Sequence, residues 1–401
     1  MSSFRRFALD WRGEIGQGMG KMGVILILLV FLCGGAALAA TPAQSTNEAA
    51  AAAHLTLPRV LSQAQWGRME GSVDRALAWM ATNQAADGSF PTYPSGQPAV
   101  TSLCVLAYLS RGHQPGVGPY GERLNRAIDF VVSCQMADGL FSYEVPQASY
   151  VQREASHTAV YNHGISGLML GEVYGQVTGQ RAEQVKLAIQ KALVFTLELQ
   201  NRIKVPDDKG GWRYLRISTG SDSDMSVTAW QIMFLRSAKN AQFDVPAQPI
   251  EEAMAFVKRC WDPETGQFYY ALPGPDYGGG PGMTGAGVVT LSMGGQHETP
   301  MARSAGDWLV AHPFKRPGEV MGRYDKFIYS TFYCSQAAAQ LGGPYWEKIY
   351  PPLVTVLLNC QSGNGSWRAE SNMAQFGDVC TTAFAVLSLT PAYQILPIYQ
   401  R

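Results

Sequence analysis

Gln84-Ala-Ala-Asp-Gly88-Ser-Phe90 is one copy of a turn motif that returns along this chain: a glutamine, a polar turn, a glycine, one further residue and an aromatic. Self-similarity at a period of roughly 50 residues indicates one supersecondary unit that has been copied several times. Further copies are Gln135-Met-Ala-Asp-Gly139-Leu-Phe141, Gln361-Ser-Gly-Asn-Gly365-Ser-Trp367, a longer form at Trp261 to Phe268, and a reduced form, Gly211-Trp212, after Gln200.

Each motif stands between two segments of helical periodicity. The segments before it place apolar residues three and four apart, which is typical of a helix with one buried face. The segments after it are apolar nearly all round, which indicates buried helices. The amphipathic segments are residues 73–80, 124–132, 185–199, 250–260, 302–311 and 350–359, and the apolar ones are 100–108, 162–170, 226–235, 283–291, 329–337 and 380–387. The sequence therefore predicts an all-α fold, an α6/α6 toroid of six inner and six outer helices, with at most a short hairpin near residues 268–270.

The turn motif has a mechanical interpretation. Its glycine suits positive φ in the turn between the two helices of a pair. The aromatic can fold back on the outer helix, and the glutamine can bind the exposed backbone of a neighbouring helix start. The glycines expected at positive φ are Gly88, Gly139, Gly211, Gly266 and Gly365.

The bulk composition limits the partners. The chain has 401 residues, of which 46% are hydrophobic and only 15% charged, and its 31 basic and 31 acidic residues cancel. No basic run interleaves with aromatics, so nucleic acid is not an expected partner. An apolar small molecule or a polymer remains possible, and the chain is expected to be a monomer.

The N-terminus has the layout of an export signal. Basic residues precede the apolar run Val24 to Cys33, and small residues follow up to Ala40. We expect residues 1–40 to be a signal peptide or an N-terminal membrane anchor. Residues 41–69 then form a linker and 70–401 the toroid, in a periplasmic or other extracytoplasmic location.

Six cysteines follow this segment, and none forms a Cys-x-x-Cys pair. Buried thiols are the simplest interpretation. Cys104 and Cys380 occupy matching positions of the first and sixth inner helices, which become neighbours when a ring closes. A disulfide at that position would restrain the whole ring.

The motif, with Arg126-Ala-x-x-Phe130-Val-Val leading into Gln135, resembles the QW repeat of the squalene–hopene cyclase and prenyltransferase-β superfamily over about residues 70 to 390. Tyr161-Asn-His-Gly-Ile, Gly211-Trp-Arg-Tyr and Ser226-Val-Thr-Ala-Trp-Gln are similar to exported single-toroid proteins with prenyltransferase/squalene-oxidase repeats. The name of that subgroup does not imply an activity.

The cyclase resemblance implies a proton donor at the middle Asp of Asp-x-Asp-Asp. The nearest match is Asp222-Ser-Asp224-Met225, in which Asp224 takes the protonating position and Met225 replaces the last Asp. Asp224 and Asp222 are therefore the candidate catalytic residues. The competing interpretation is that these side chains cap the N-terminus of a helix.

The prenyltransferase resemblance implies zinc held by Asp, Cys and His. Ser330 stands where the His is expected, and Asp378-Val-Cys380 lies on the sixth inner helix rather than the fourth. His157 and His163 are six residues apart and do not share a helical face. We therefore expect no metal and no cofactor.

Two sets of residues point to a central cavity. Glu154, Asp224, Asp276, Asp325 and Asp378 fall near inner-helix N-termini, where a glycoside hydrolase would need a paired acid and base, but five helix caps give the same pattern. Aromatics on the inner helices could bind an isoprenoid or simply form core. The candidate cavity residues are Tyr108, Tyr161, His163, Trp230, Phe234, Phe332, Tyr333, Phe384 and Asp378.

Two functions follow from these patterns. One is a binding protein that holds an apolar or polymeric ligand in the cavity or at its rim. The other is a cyclase-like isomerase or lyase with Asp224 as proton donor. The orientation of Asp224 separates them, because a donor has to face an enclosed aromatic pocket whereas a cap binds backbone N–H groups.

Overall fold

The computed structural model describes residues 57–147, 154–215, 222–274, 278–321 and 325–400. The expected export signal and most of the expected linker lie outside these residues. Twelve α-helices occur in the described part, and all twelve predicted segments coincide with them. The outer helices are α1 (Gln63–Asn83), α3 (Gly121–Ser133), α5 (Gly179–Gln200), α7 (Ala247–Arg259), α9 (Pro300–Ala311) and α11 (Gly343–Asn359). The inner helices are α2 (Ala99–Ser110), α4 (Ala155–Val173), α6 (Met225–Asn240), α8 (Pro281–Met293), α10 (Phe327–Leu341) and α12 (Gly377–Leu389).

The inner helices form a closed ring. Each packs on the next inner helix, and α12 returns to α2. Every residue of α2 is buried, whereas α3 buries Leu124, Ala127, Ile128 and Val131, which is one stripe of a helix. Small residues bring inner helices close together: a Cβ at Gly167 of α4 would lie 2.6 Å from the Phe234 ring of α6. The α6/α6 toroid is confirmed.

The turn motifs join neighbouring outer helices. Gln84 Nε2 donates to the carbonyl of Gly88 at 2.9 Å and to that of Arg123 in α3 at 2.9 Å. Gln361 makes the same pair of bonds to Gly365 and, across the closure of the ring, to Ser72 in α1. In α3 and α7, which are short, the carbonyl that accepts from the motif glutamine lies in the first turn, as expected. In α1 and α5 the accepting carbonyl lies in the middle of the helix. These two helices have 21 and 22 residues and extend beyond the turn that binds them.

The motif glycine lies against the next outer helix. Gly88 has φ +94°, and a Cβ there would lie 2.3 Å from the Arg126 carbonyl oxygen. Positive φ is confirmed at four of the five predicted glycines. In the third copy the prediction is wrong by one residue, because Gly210 rather than Gly211 has positive φ, at +92°. The insertion after Gln200 places Gly210 against the Glu252 carbonyl, where a Cβ would lie 2.1 Å away.

The motif aromatics pack as predicted. Phe90, Phe141, Trp212, Phe268 and Trp367 are all buried. Trp212 Nε1 donates to Thr196 O of its own outer helix, and Trp367 Nε1 donates to Leu357 O of its own. No strand occurs in the described ranges, and the expected hairpin reduces to an isolated bridge between Trp261 and Phe268.

The chain's last described residues cross the C-terminal ends of the inner helices. The Ile398 N–H donates to Glu172 Oε2 at 3.1 Å, and Gln340 Nε2 donates to Tyr399 O at 2.8 Å. Leu396 and Ile398 are buried. The chain therefore covers this end of the ring with its own backbone.

The six cysteines that follow the expected export signal are all described, and all carry free thiols. Burial raises the pKa of Cys104, and Cys380 adds to that shift, so these two thiols are neighbours across the closure of the ring. The possible disulfide between them is not formed. Within the described residues, no helix is both long enough and apolar enough to cross a bilayer.

Candidate ligand cavity at the N-terminal ends of the inner helices

A cavity of about 450 Å³ lies on the ring axis, at the end where the inner helices begin. Every inner helix contributes side chains to its wall. These include Val100 and Leu103 of α2, Tyr161 and Ile165 of α4, Trp230 of α6, Met283 of α8, Tyr329 of α10, and Cys380 and Phe384 of α12. The closed ring thus creates a site that no single repeat contains.

One side of the wall is a cluster of aromatic rings. Tyr329 meets Phe384 edge-on, with ring centroids 5.8 Å apart. Trp230 donates from Nε1 to the Tyr329 hydroxyl at 3.0 Å, and its ring stacks on Phe332 behind it. Ring faces and edges at these spacings form an apolar surface with few free polar atoms.

Beside these rings the wall carries tyrosine hydroxyls and one arginine. Tyr161 donates to Ser226 Oγ at 3.0 Å, and the Tyr214 and Tyr270 hydroxyls hydrogen-bond each other. Arg213 lies over both rings of that pair, 5.3 Å and 5.6 Å from their centroids. Burial is the main cause that raises the pKa of Tyr214 and of Tyr270, so both remain neutral donors and acceptors.

Asp224 lies behind this tyrosine layer and is fully buried. It is the N-cap residue of α6, and its Oδ1 accepts from Val227 N at 2.8 Å. Its Oδ2 faces Arg213 Nε at 3.5 Å. Burial raises the pKa of Asp224 to about 6, and the Arg213 charge and the Val227 N–H oppose that shift.

This is the geometry of a helix cap. Asp224 does not line the cavity, whereas Arg213, Tyr214 and Tyr270 do. Asp222 is half-buried beside Asp208, to which its backbone N–H donates, and it also does not line the cavity. The structure therefore favours the capping interpretation of Asp224.

The other acidic candidates do not converge on one point. Asp378 is exposed and accepts from Ala369 N at 2.8 Å, and Glu154 is the half-buried N-cap residue of α4. Neither lines the cavity, and Asp276 lies outside the described residues. Only Asp325, among the described carboxylates, reaches the wall. The described part of the wall therefore holds no acid and base pair.

His163 has a structural role that the sequence did not show. Its Nδ1 accepts from the Phe141 N–H at 3.3 Å, and its Nε2 lies 2.8 Å from Thr196 Oγ1. In other repeats a threonine hydroxyl binds the N–H of the motif aromatic, as Thr101 binds Phe90 N. Burial lowers the pKa of His163 to about 3, so it is neutral. His163 joins a turn motif to α4 and does not line the cavity.

The predicted aromatics divide into wall and core. Tyr161, Trp230 and Phe384 line the cavity, whereas Tyr108, Phe234, Phe332 and Tyr333 do not. The Tyr108 hydroxyl donates away from the axis, to Leu77 O of α1, at 2.7 Å.

Several wall residues were not among the candidates. The Gly-Trp-Arg-Tyr pattern contains Arg213 and Tyr214, but its spacing does not show that they face the axis. Tyr270 and Lys326 precede inner helices and carry no periodic signal. In the described ranges no three His, Cys, Asp or Glu side chains cluster as a metal site.

No protein-family model and no curated protein matches the sequence. Solved structures with the same fold do match. The apo type II terpene cyclase MstE from Scytonema aligns at 15% identity and a TM-score of 0.53, covering 84% of this chain and 100% of its own. The α-1,6-mannanase GH76A of Salegentibacter sp. HEL1_6 aligns at 12% identity and a TM-score of 0.55, covering 82% and 99%. A glycosidase variant gives 11% identity and a TM-score of 0.57, covering 84% and 100%. These likenesses show the toroid fold.

Proposed function

We propose that this toroid is a binding protein whose central cavity holds a small apolar molecule, an isoprenoid or another lipid, without cyclase or prenyltransferase chemistry. The supporting observation is the wall, which combines Trp230, Tyr329 and Phe384 with a single described carboxylate. Its volume of about 450 Å³ falls within the range of small-molecule pockets, about 300–1,000 Å³.

The toroid neighbours bind two kinds of ligand. One MstE structure holds geranylgeranyl dihydroxybenzoate, which has an isoprenoid chain, and one mannanase structure holds α-1,6-mannotriose. Hydrolysis of a sugar needs two carboxylates across the bond, and the described wall offers only Asp325. The aromatic wall therefore supports the isoprenoid over the sugar.

The competing function is a cyclase-like enzyme with Asp224 as proton donor. For that role Asp224 would have to leave the Val227 N–H and Arg213 and pass the tyrosine layer. Arg213 would then lose its carboxylate partner beside the cavity. These contacts support binding without catalysis.

Lipid extraction of the purified full-length protein, followed by mass spectrometry, tests the proposal directly. We expect a bound isoprenoid or lipid, and calorimetric binding of the C15 alcohol farnesol. Conversion of an isoprenoid that is lost in Asp224→Asn would support the enzyme instead. Binding of a polysaccharide without any lipid would support the polymeric ligand.

A pair of matched substitutions locates the site. Ala99 lines this cavity and Ala339 lines the cavity at the opposite end of the ring. Ala99→Phe fills the proposed site and should weaken farnesol binding about 10-fold or more. Ala339→Phe makes the same change at the other end and should leave binding unchanged. The reverse result would place the ligand in the cavity lined by Ala339 and contradict the proposed site.

We also propose that the chain is exported and either released or tethered by its N-terminus. This rests on the basic, apolar and small-residue pattern of residues 1–40. N-terminal sequencing of the protein from its native membrane and soluble fractions distinguishes a cleaved signal from a retained one.

A further inference from the structure

A lysine lies in the wall of the cavity. Lys326 is the residue immediately before α10 and lines the cavity, next to Tyr329 and Cys380. Its side chain is half-buried. Burial lowers the pKa of its ammonium group, and the charge of Glu370 opposes that shift.

The ammonium has little compensation from the protein. Lys326 Nζ donates to Met373 Sδ at 3.3 Å, and a thioether is a weak acceptor. None of the ion pairs in the described residues includes Lys326. Glu370 directs its carboxylate at the start of α10, where it accepts from Phe327 N at 3.0 Å and from Ile328 N at 2.7 Å.

The other charged groups of the described wall already have partners within the protein. Arg213 faces Asp224. Asp325 accepts from Ser330 Oγ and from Met321 N, so both its carboxylate oxygens bind the protein. Of the two described cations in the wall, Lys326 is therefore the one that no carboxylate faces within ion-pair distance.

Apolar surface begins next to this charge. Tyr329 lies in the first turn of α10, three residues after Lys326. Its ring meets that of Phe384, which lies one turn beyond Cys380 on α12. Trp230 continues the surface from Tyr329. A ligand whose charged head group bound Lys326 would therefore place its apolar part against these aromatic rings.

We propose that Lys326 binds the carboxylate head group of an apolar ligand, with the ligand's hydrocarbon part against Tyr329, Trp230 and Phe384. This rests on the proposed function, which supplies the apolar ligand. A carboxylate carries one negative charge, which equals the single positive charge of the Lys326 ammonium, whereas a diphosphate carries more. An ammonium offers three donors, and a surrounding of low polarity strengthens their attraction to an anion.

Three probes that share one tail test the head group: farnesol, farnesoic acid and farnesyl diphosphate. Their dissociation constants are measured by calorimetry with the full-length protein. We expect farnesoic acid to bind about 10-fold or more tightly than farnesol, since a charge-assisted hydrogen bond contributes at least that factor. Lys326→Met should remove this preference while farnesol binding is retained.

Two controls isolate the charge. Lys326→Arg keeps a cation at the same point and should keep a preference for the acid. Lys348→Met removes an exposed lysine of the outer helix α11 and should change nothing. If Lys326→Met fails to fold by circular dichroism, Lys326→Gln replaces it.

The outcomes separate the two proposals. If farnesol and farnesoic acid bind wild type equally, the role of Lys326 is wrong and the apolar cavity stands. Tightest binding of the diphosphate, or an acid preference that survives Lys326→Met, also overturns it. If none of the three probes binds, the proposed function fails, and the Lys326 proposal fails with it.

Discussion

The two ends of the ring hold cavities of nearly equal volume, about 450 Å³ where the inner helices begin and about 440 Å³ where they end. Rings, Arg213 and Lys326 line the first cavity. The second is lined by amides such as Gln336 and Gln340 and by the chain's own residues 394–400. Cavity volume therefore does not distinguish a ligand-binding site from unfilled space in this fold, whereas the side chains that line each cavity do.

A buried carboxylate at each end sharpens the comparison. Asp224 faces Arg213, and burial raises its pKa to about 6. Glu172 accepts from Ser237 Oγ at 2.6 Å and from the Ile398 N–H, and burial raises its pKa to about 7. A guanidinium compensates one carboxylate, and only neutral donors compensate the other.

Removal of residues 395–401 should have the largest effect, because it opens the covered end. The truncation exposes the sites of Leu396 and Ile398, and each buried side chain contributes about 1.5–3 kcal/mol. We expect a loss of about 3–6 kcal/mol in the free energy of unfolding, measured in urea. Gln400→Ala leaves both apolar side chains in place and should change stability by less than about 0.5 kcal/mol. A truncated protein as stable as wild type would show that the tail does not close the ring.

Asp224→Ala should have the next largest effect, at the open end. It removes the cap of α6 and leaves the Arg213 charge buried without its carboxylate, which costs about 3–5 kcal/mol. Asp378→Ala is the matched change at α12. Asp378 is exposed and accepts one N–H, so about 0.5–1.5 kcal/mol is expected. Equal losses in the two variants would contradict the role given to the Asp224–Arg213 pair.

The pH dependence of stability should show the smallest effect, and it measures the protonation of the Glu172 carboxyl group. The folded-state pKa of about 7 lies above the ordinary value of 4.5, so between these values the folded chain holds a proton that the unfolded chain releases. The free energy of unfolding therefore falls as pH rises through this window, by up to about 3 kcal/mol. Asp224 contributes the same sign between pH 3.8 and about 6.

Glu172→Gln should abolish the fall between pH 6 and 7 and raise stability above pH 7, as followed by thermal unfolding. Glu347→Gln, on the exposed face of α11, is the control and should follow wild type. If Glu172→Gln keeps the wild-type slope, another group causes it.

Much of the fold was predictable, because helical periodicity and the motif period are local properties. All twelve segments lie in helices, and the motif aromatics are buried as expected. The motif glutamines bind a helix start in two of four copies and the middle of a longer helix in the other two. The shift from Gly211 to Gly210 follows an insertion that breaks the spacing of the copies.

The site was less predictable, because facing the axis depends on how six helices rotate in the ring. Tyr161, Trp230 and Phe384 were found by their position on inner helices, but Tyr108 and Phe234, chosen on the same basis, pack away from the cavity. His163 was also among the candidate cavity residues on the inner helices. In the fold it replaces a threonine that other repeats use.

The sequence by itself determined the repeat, the helical class and the closed ring, since each repeat buries its apolar face only against its neighbours. It also placed Asp224 at the start of the third inner helix. Only the tertiary structure decided that Asp224 lies behind Tyr214 and Tyr270, that residues 394–400 cover one end, and that Lys326 lines the cavity at the other. Those facts depend on contacts between residues far apart in the chain, and no spacing within one repeat encodes them.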